Sequence, residues 1–295
     1  MGTTIAADRN GAPASSPGVL SIDVEDWFHV ENLRPSIPRA SWDERQPRVE
    51  RNVDRLLELM NAAGPVHATF FLLGWVADRY PDMVRRIAAA GHEVASHGYG
   101  HELLTSLEPE AFREDVRRSK TLLEDLVSAP VRGYRAPSFS ITDWAIPILR
   151  EEGLLYDSSV FATVAHDRYG RLAGVRPDDP VVELAPGFFE IAVSCLTVGS
   201  VGLPWGGGGY FRLMPYPLFR RGVAHIRRRR PYVFYLHPWE IDPGQPRVDG
   251  LRRTHRFRHY VGLDRCEARF AKLLADFRWS TMSDLVEWTQ RRAAA

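Results

Sequence analysis

Two periodicities alternate along this chain. Short apolar runs at 19–22, 66–73, 94–95 and 232–236 are too brief for helices and rich in Val, Ile, Phe or Tyr, which predicts buried strands. Between them, apolar residues recur at three- and four-residue spacing. Val49, Val53, Leu56, Leu57 and Met60 predict a helix over 47–63 that stops at Gly64-Pro65. Val76, Met83, Val84 and Ile87 predict one over 75–90 that stops at Gly91. Thr105 and Glu108 form a capping box for a long charged helix over 106–127. Thr142 caps a helix over 143–152, and an amphipathic helix is expected over 264–277. The run 130–137 reads as a strand ending in Arg135 and Pro137, and 154–156 as a brief one. Such alternation predicts βα units and a mostly parallel sheet.

The stretch 165–215 breaks this rhythm. It is rich in Gly and Pro and carries four successive glycines, 206–209, between Trp205 and Tyr210. Irregular hairpins are expected there, with the glycines in a packed loop near a ligand. Arg227 to Arg230 reads as a solvated face at a helix C-terminus.

Composition narrows the class without naming a function. At 295 residues, 44% hydrophobic and 25% charged, the chain is an ordinary globular protein. A net charge of +1 gives no push toward nucleic acid or an anionic membrane. Cys195 and Cys266 are far apart, which excludes a disulfide framework or an all-cysteine zinc site and fits a reducing compartment. No run reaches the ~20 apolar residues of a membrane span. Residues 1–17 lack the apolar core of a secretory signal and read as a disordered leader. The expected location is therefore cytoplasmic, with membrane association as the alternative.

The chemistry lies at the ends of the strands. Asp23, Glu25 and Asp26 follow the first; His97 and His101, four apart with Gly98 and Gly100 between them, follow the third. Arg135 ends the next, and His237 follows 232–236. In parallel α/β folds ligands bind at the carboxyl ends of strands, so these groups converge. Two imidazoles and one carboxylate make the ligand set of a catalytic zinc or similar divalent ion. A spare carboxylate beside it can take a proton from water, and a histidine opposite can protonate a leaving group. An HxxxH pair alone is as often structural; its neighbours make it informative here.

The ordered set Ser-Ile-Asp at 21–23, Thr69-Phe-Phe, SHGYGH at 96–101, RAPSFS at 135–140 and YLHP at 235–238 resembles the polysaccharide deacetylases, the NodB-homology group of carbohydrate esterase family four. More narrowly, residues 21–29, 208–215 and 237–244 resemble deacetylases of exopolysaccharide loci beside exosortase systems, which carry a C-terminal extension. The resemblance implies a distorted (β/α)7 barrel over 18–240 with a small extension, 241–295, packed on it. By motif, Asp23 is the general base, Arg135 orients it, His97 and His101 bind the metal, and His237 is the general acid. The family's Asp pair is interrupted by Val24, so the third ligand is Glu25 or Asp26, with Asp-x-Asp relatives favouring Glu25. The third motif has Ser138 before its aromatic Phe139, and the fourth, an Asp-Trp element, has no clean match among Asp143-Trp144 and Trp205. Trp205, Tyr210 and Trp239 are candidate walls for sugar stacking, with ordinary rim packing the alternative. The implied cofactor is Zn2+, with Co2+ or Ni2+ as alternatives. The implied reaction is hydrolysis of N-acetyl groups on a polysaccharide or oligosaccharide in exopolysaccharide biosynthesis. Two other readings stand beside it: an amidohydrolase of small non-sugar amides, and a metal-free carbohydrate-binding pseudo-deacetylase.

Overall fold

Strands covered on both faces carry continuous apolar runs, and a parallel sheet requires such cover. In the structure, a computed structural model that describes residues 16–64, 66–161, 170–176, 179–198 and 201–294, those runs form one curled sheet. Its strands are β1 (Gly18–Val24), β2 (Thr69–Leu72), β3 (Glu93–Ser96), β4 (Gly133–Tyr134), β5 (Tyr156–Asp157), β6 (Val181–Ala185) and β7 (Phe188–Ile191). A hairpin of β8 (Cys195–Val198) and β9 (Val201–Pro204) intervenes before β10 (Tyr232–Leu236). The sheet order is β10-β1-β2-β3-β4-β5-β7-β6. From β10 to β7 every pairing is parallel, and only β6 runs antiparallel, as a hairpin with β7. The gap between β7 and β10 is bridged irregularly: Ser194 N–H donates to Val233 O, and Gly207 bridges Tyr235. Seven parallel strands joined this way form the distorted α/β barrel that the sequence predicts.

Alternation along the strands builds two cores. Leu20, Ile22, Val24, Phe70, Leu72, Phe234 and Leu236 face outward beneath the helices. Val19, Phe71, Ala95, Phe189, Ile191 and Val233 face into the barrel. The outer layer comprises α1 (Val49–Ala62), α2 (Gly74–Arg79), α3 (Pro81–Ala89), α4 (Pro109–Val127), α5 (Ala145–Glu151), α6 (Gly208–Leu213) and α7 (Tyr216–Arg227). The chain then adds α8 (Arg253–Tyr260), α9 (Leu263–Asp276) and α10 (Met282–Ala293). Met282, Leu285 and Val286 of α10 join the inner core, and Ser280 bridges Val19, so this segment plugs the amino end of the barrel.

Several elements differ from the sequence reading. The helix over 75–90 is two helices, because Pro81 lacks an N–H and starts α3 afresh. Glu108, not Thr105, is the N-cap of α4, and its side chain makes no capping bond. Thr142 accepts from Ala145 N–H only through its backbone, and its buried hydroxyl is unpartnered among the described residues. The four glycines open α6: a methyl group at Gly208 would overlap the Glu240 carboxyl. Arg227 is buried, donates to Ser16 O and sits 5.5 Å over the Phe277 ring, while Arg230 donates to Cys195 O, so only Arg228 and Arg229 form the expected solvated face. Of the expected leader, residues 1–15 lie outside the described residues, as do 165–169, 177–178 and 199–200 of the irregular stretch. Ser16 and Pro17 are paired with Arg227 and Tyr232.

Candidate metal centre and its flanking residues

The inward-facing register of β1 places Val19, Ser21 and Asp23 on one face, and a tight turn, with Glu25 N–H donating to Asp23 O at 2.9 Å, keeps Glu25 on that side. His97 follows β3 in the same inward register as Ala95. His101 adopts a left-handed backbone (φ 55°), a costly conformation for a non-glycine residue that persists where the surroundings impose it. Asp115 of α4 imposes it in part, accepting from Tyr99 N–H at 2.8 Å and Gly100 N–H at 3.0 Å. Asp115 was not singled out from the sequence, because it lies on a charged helix face with nothing local to mark it.

Glu25, His97 and His101 converge, all three buried, with ligand atoms within 4.8 Å of one another. Glu25 Oε1 lies 3.0 Å from His97 Nε2 and 2.8 Å from His101 Nε2. His97 Nδ1 is 2.7 Å from the Arg135 carbonyl oxygen. A carbonyl only accepts, so Nδ1 carries a hydrogen, and Nε2 is the ring nitrogen turned toward the carboxylate. Burial opposes ionisation of Glu25, but the His101 charge and hydrogen bonds from both histidines hold its carboxyl well below the usual range. The donor set N2O, its tautomer and its ionised carboxylate therefore fit a divalent ion.

Asp26 is not part of this cluster. It accepts from Trp27 N–H at 2.8 Å, Arg48 N–H at 2.6 Å and Val49 N–H at 2.9 Å, so it ties the turn after β1 to the start of α1. Of the two carboxylates left open, Glu25 is the one that lies with the imidazoles.

Asp23 and Arg135 form a buried pair beside the cluster. Arg135, fully buried, donates from Nη1 to Asp23 Oδ1 at 2.5 Å and to Ser21 Oγ at 2.9 Å. Its Nε and Nη2 reach Ser158 O and Ser158 Oγ, both at 2.8 Å, and its guanidinium lies 4.1 Å over Phe71. All three guanidinium nitrogens are thus hydrogen-bonded, as a charge so buried demands. On the opposite wall, His237 Nε2 lies 3.9 Å from Glu25 Oε1, and its Nδ1 is 3.1 Å from Glu240 Oε2. Arg212 Nε in turn donates to Glu240 Oε1 at 2.8 Å. Burial works against a charged His237, but the Glu240 hydrogen bond and the charges of Glu25, Glu240 and Asp23 raise it to about 9. Arg212 and His237 outweigh burial at Glu240 and bring it down to about 2. Glu240 sits three residues past the histidine, on the short 3-10 turn (Pro238–Ile241) that His237 caps.

The three expected sugar walls fare differently. Trp205 is buried, stacked on Phe219 at 5.8 Å, with Nε1 donating to Phe219 O at 2.9 Å, so it is packing beneath α7 and not a wall. Trp239 is also buried, its two sides taken by His237 at 5.2 Å and His259 at 4.6 Å, so neither face is free for a pyranose. Tyr210 is half-buried on α6. At the rim, Ser138 and Phe139 both adopt left-handed φ (52° and 57°), and Phe139 packs 4.9 Å from Tyr235.

A parallel barrel with a His-His-carboxylate cluster, a buried Asp–Arg pair and an opposing histidine at its carboxyl end defines a candidate metal-dependent hydrolase. Residues 41–156 match the polysaccharide deacetylase family model, and 158–287 match one described as a domain of unknown function (DUF3473). The polysaccharide deacetylase model thus matches less than half of the chain, on the strands that carry the histidines and Arg135. The chain is 34% identical over 109 residues to the peptidoglycan deacetylase-like protein FGM2 of Gibberella zeae, covering 37% of this chain and 32% of that one. It is 44% identical over 64 residues to a chitooligosaccharide deacetylase of Rhizobium leguminosarum bv. trifolii, covering 22% and 28%. The chain thus spans about a third of the length of such curated relatives. A solved polysaccharide deacetylase structure from Mycobacterium smegmatis matches over 99% of this chain and 96% of that one, with TM-score 0.62 and 22% identity. A family-four pseudoenzyme from Bacillus anthracis matches over 96% and 70%, with TM-score 0.50 and 14% identity. At those identities the structures establish the shared fold alone. Among the described residues no helix is long and apolar enough to cross a membrane.

Proposed function

We propose that this protein is a metal-dependent deacetylase that hydrolyses N-acetyl groups of N-acetylhexosamine units in an exopolysaccharide or its precursor, releasing acetate. The observation that carries the reading is the convergence of Glu25, His97 and His101 between the buried Asp23–Arg135 pair and the opposing His237. Glu25, His97 and His101 would hold the ion, zinc by donor set, with Co2+ or Ni2+ also suited. When bound, it supplies Lewis-acid polarisation of the amide oxygen and of a water.

The protein's own groups perform the proton transfers. Asp23 takes the proton from the attacking water, and Arg135 fixes the carboxylate's orientation. His237 delivers a proton from Nε2 to the departing sugar amine, and Glu240 on Nδ1 fixes its tautomer and favours its charged form. A backbone N–H, with the ion, would stabilise the developing oxyanion. The relatives named for peptidoglycan and chitooligosaccharide supply the comparison substrates. Acetate release from chitooligosaccharides, peptidoglycan, N-acetylated exopolysaccharide and small amides tests the reading. Acetate is expected from the hexosamine polymers and not from the small amides, and Asp23→Asn and His97→Ala are each expected to abolish it. Activity retained in either variant would sink the proposal.

A further inference from the structure

Two buried carboxyls inside the barrel have no part in the chemistry above. Asp157 on β5 and Glu190 on β7 are register partners on adjacent parallel strands, and both are fully buried. Asp157 Oδ2 and Glu190 Oε2 are buried and have no hydrogen-bond partner among the described residues. The remaining oxygens are committed. Asp157 Oδ1 accepts from Ser159 Oγ at 2.6 Å; Glu190 Oε1 accepts from Val160 N–H at 2.8 Å and Ser159 N–H at 3.2 Å. Carboxylate oxygens carry no hydrogen of their own, so two unpartnered ones buried on paired residues are satisfied by one proton between them.

The segment they grip is the one that seats Arg135. Ser158 accepts from Arg135 Nη2 and Nε through its hydroxyl and carbonyl, and donates to Ile191 O at 2.8 Å, next to Glu190. Ser159 Oγ accepts from Ala136 N–H at 2.7 Å. We propose that Asp157 and Glu190 share a single proton and act as positioning residues, locking Ser158 and Ser159 so that Arg135 presents its guanidinium to Asp23. Burial, and after it the Asp157 charge, pushes Glu190 far above the usual carboxyl range; burial raises Asp157 as well, against the nearby Arg135 charge. Tyr134 is the other titratable group that senses Asp157, and burial keeps it protonated. The positioning role rests on the deacetylase reading; the shared proton does not.

One amide in place of either acid reproduces the pair. In Glu190→Gln the amide oxygen accepts from Ser159 and Val160 while the NH2 donates to Asp157; Asp157→Asn works in the mirror sense. Two amides leave an NH2 without an acceptor. Three readouts follow: the 15N signal of Arg135 Nε, assigned with Arg135→Lys; protons released on unfolding at pH 7; and steady-state acetate release. Each single amide should keep the Arg135 signal and hold kcat within about threefold, and should release one proton fewer than the unsubstituted protein. The double amide should displace the signal and lower kcat about 30-fold or more with KM little changed, far beyond the product of the singles. A double variant that behaves as the sum of the singles, or equal proton release in unsubstituted and single-amide proteins, overturns the proposal. If the unsubstituted protein releases no acetate, the deacetylase reading falls, while the signal and the proton count still decide the pair.

Discussion

His97 donates Nδ1–H to the backbone carbonyl of Arg135 at 2.7 Å, so the strand end that orients a metal ligand also carries the guanidinium that grips Asp23. The two functions use different parts of Arg135 and can be separated. Arg135→Met keeps the carbonyl and removes the guanidinium. Metal content, measured by elemental analysis, should stay at one ion per chain, while acetate release falls by about 100-fold or more. Stability should drop by about 3–5 kcal/mol, because Asp23 is left buried and unpaired. Loss of metal from this variant would show that the carbonyl does not hold His97 independently.

Glu25 and Asp26 should part company in the same assay. Glu25→Ala removes the only carboxylate that, among the described residues, faces both imidazoles, and metal stoichiometry should fall to near zero. Asp26→Asn keeps one accepting oxygen for three backbone N–H groups, so it should bind metal normally but unfold about 1–2 kcal/mol more easily. The opposite pattern would reverse the ligand assignment.

Much of this site was legible because strand periodicity is strict. Alternation sets Asp23 on the inner face of β1, but the turn after Val24 places Glu25 inward and Asp26 as a cap, so the sequence left those two open. The parallel order likewise brought His97, Arg135 and His237 to one end of the barrel. What stayed hidden depends on packing across the chain. Asp115 and Arg212 act through partners 15 and 28 residues away, which no local pattern encodes. Trp205 looked like a sugar wall because glycines flank it, yet it fills the space beneath α7 against Gly222. The helix break at Pro81 was readable in principle, but the apolar spacing continues through it and masked the proline.

Glu240 should set the alkaline limb of the activity profile. An acid must be protonated to work, so rate is lost as pH rises through the His237 value, raised to about 9. The part of that shift due to Glu25 is cancelled when a cation sits between Glu25 and the imidazoles, whereas the part due to Glu240 remains. Glu240→Gln should therefore move the alkaline limb of kcat down by about one pH unit or more and leave metal content unchanged. An unmoved limb would mean that His237 is not the acid.

Trp205 and Trp239 are both buried, but their replacement should have different effects. Trp205→Ala opens a cavity beneath α7 and should cost about 3–5 kcal/mol while the folded fraction keeps its kcat. Trp239→Ala removes the ring stacked against His237 and should lower kcat as well as stability. Denaturant titration paired with rates at low temperature separates the two effects. Equal kcat in both variants would remove Trp239 from the support of His237.

His259 makes a testable link between the added helix α8 and acid sensitivity. It is buried, stacked on Trp239, and its Nε2 is 2.7 Å from Gln245 Oε1. Burial first, and the Arg212 charge second, lower it to about 3, so the folded protein keeps it neutral. The unfolded chain takes up that proton at about pH 6.5. Stability from this residue is therefore complete above pH 6.5 and is lost as pH falls toward 3, by about 1.4 kcal/mol per unit. His92, lowered to about 4 chiefly by burial, acts in the same direction. In His259→Gln the stability measured by urea titration from pH 7 to 5 should fall with a slope smaller by one proton than in the unsubstituted protein. Identical slopes would show that His259 is already charged in the folded state, and the stack with Trp239 would then need a different electrostatic account.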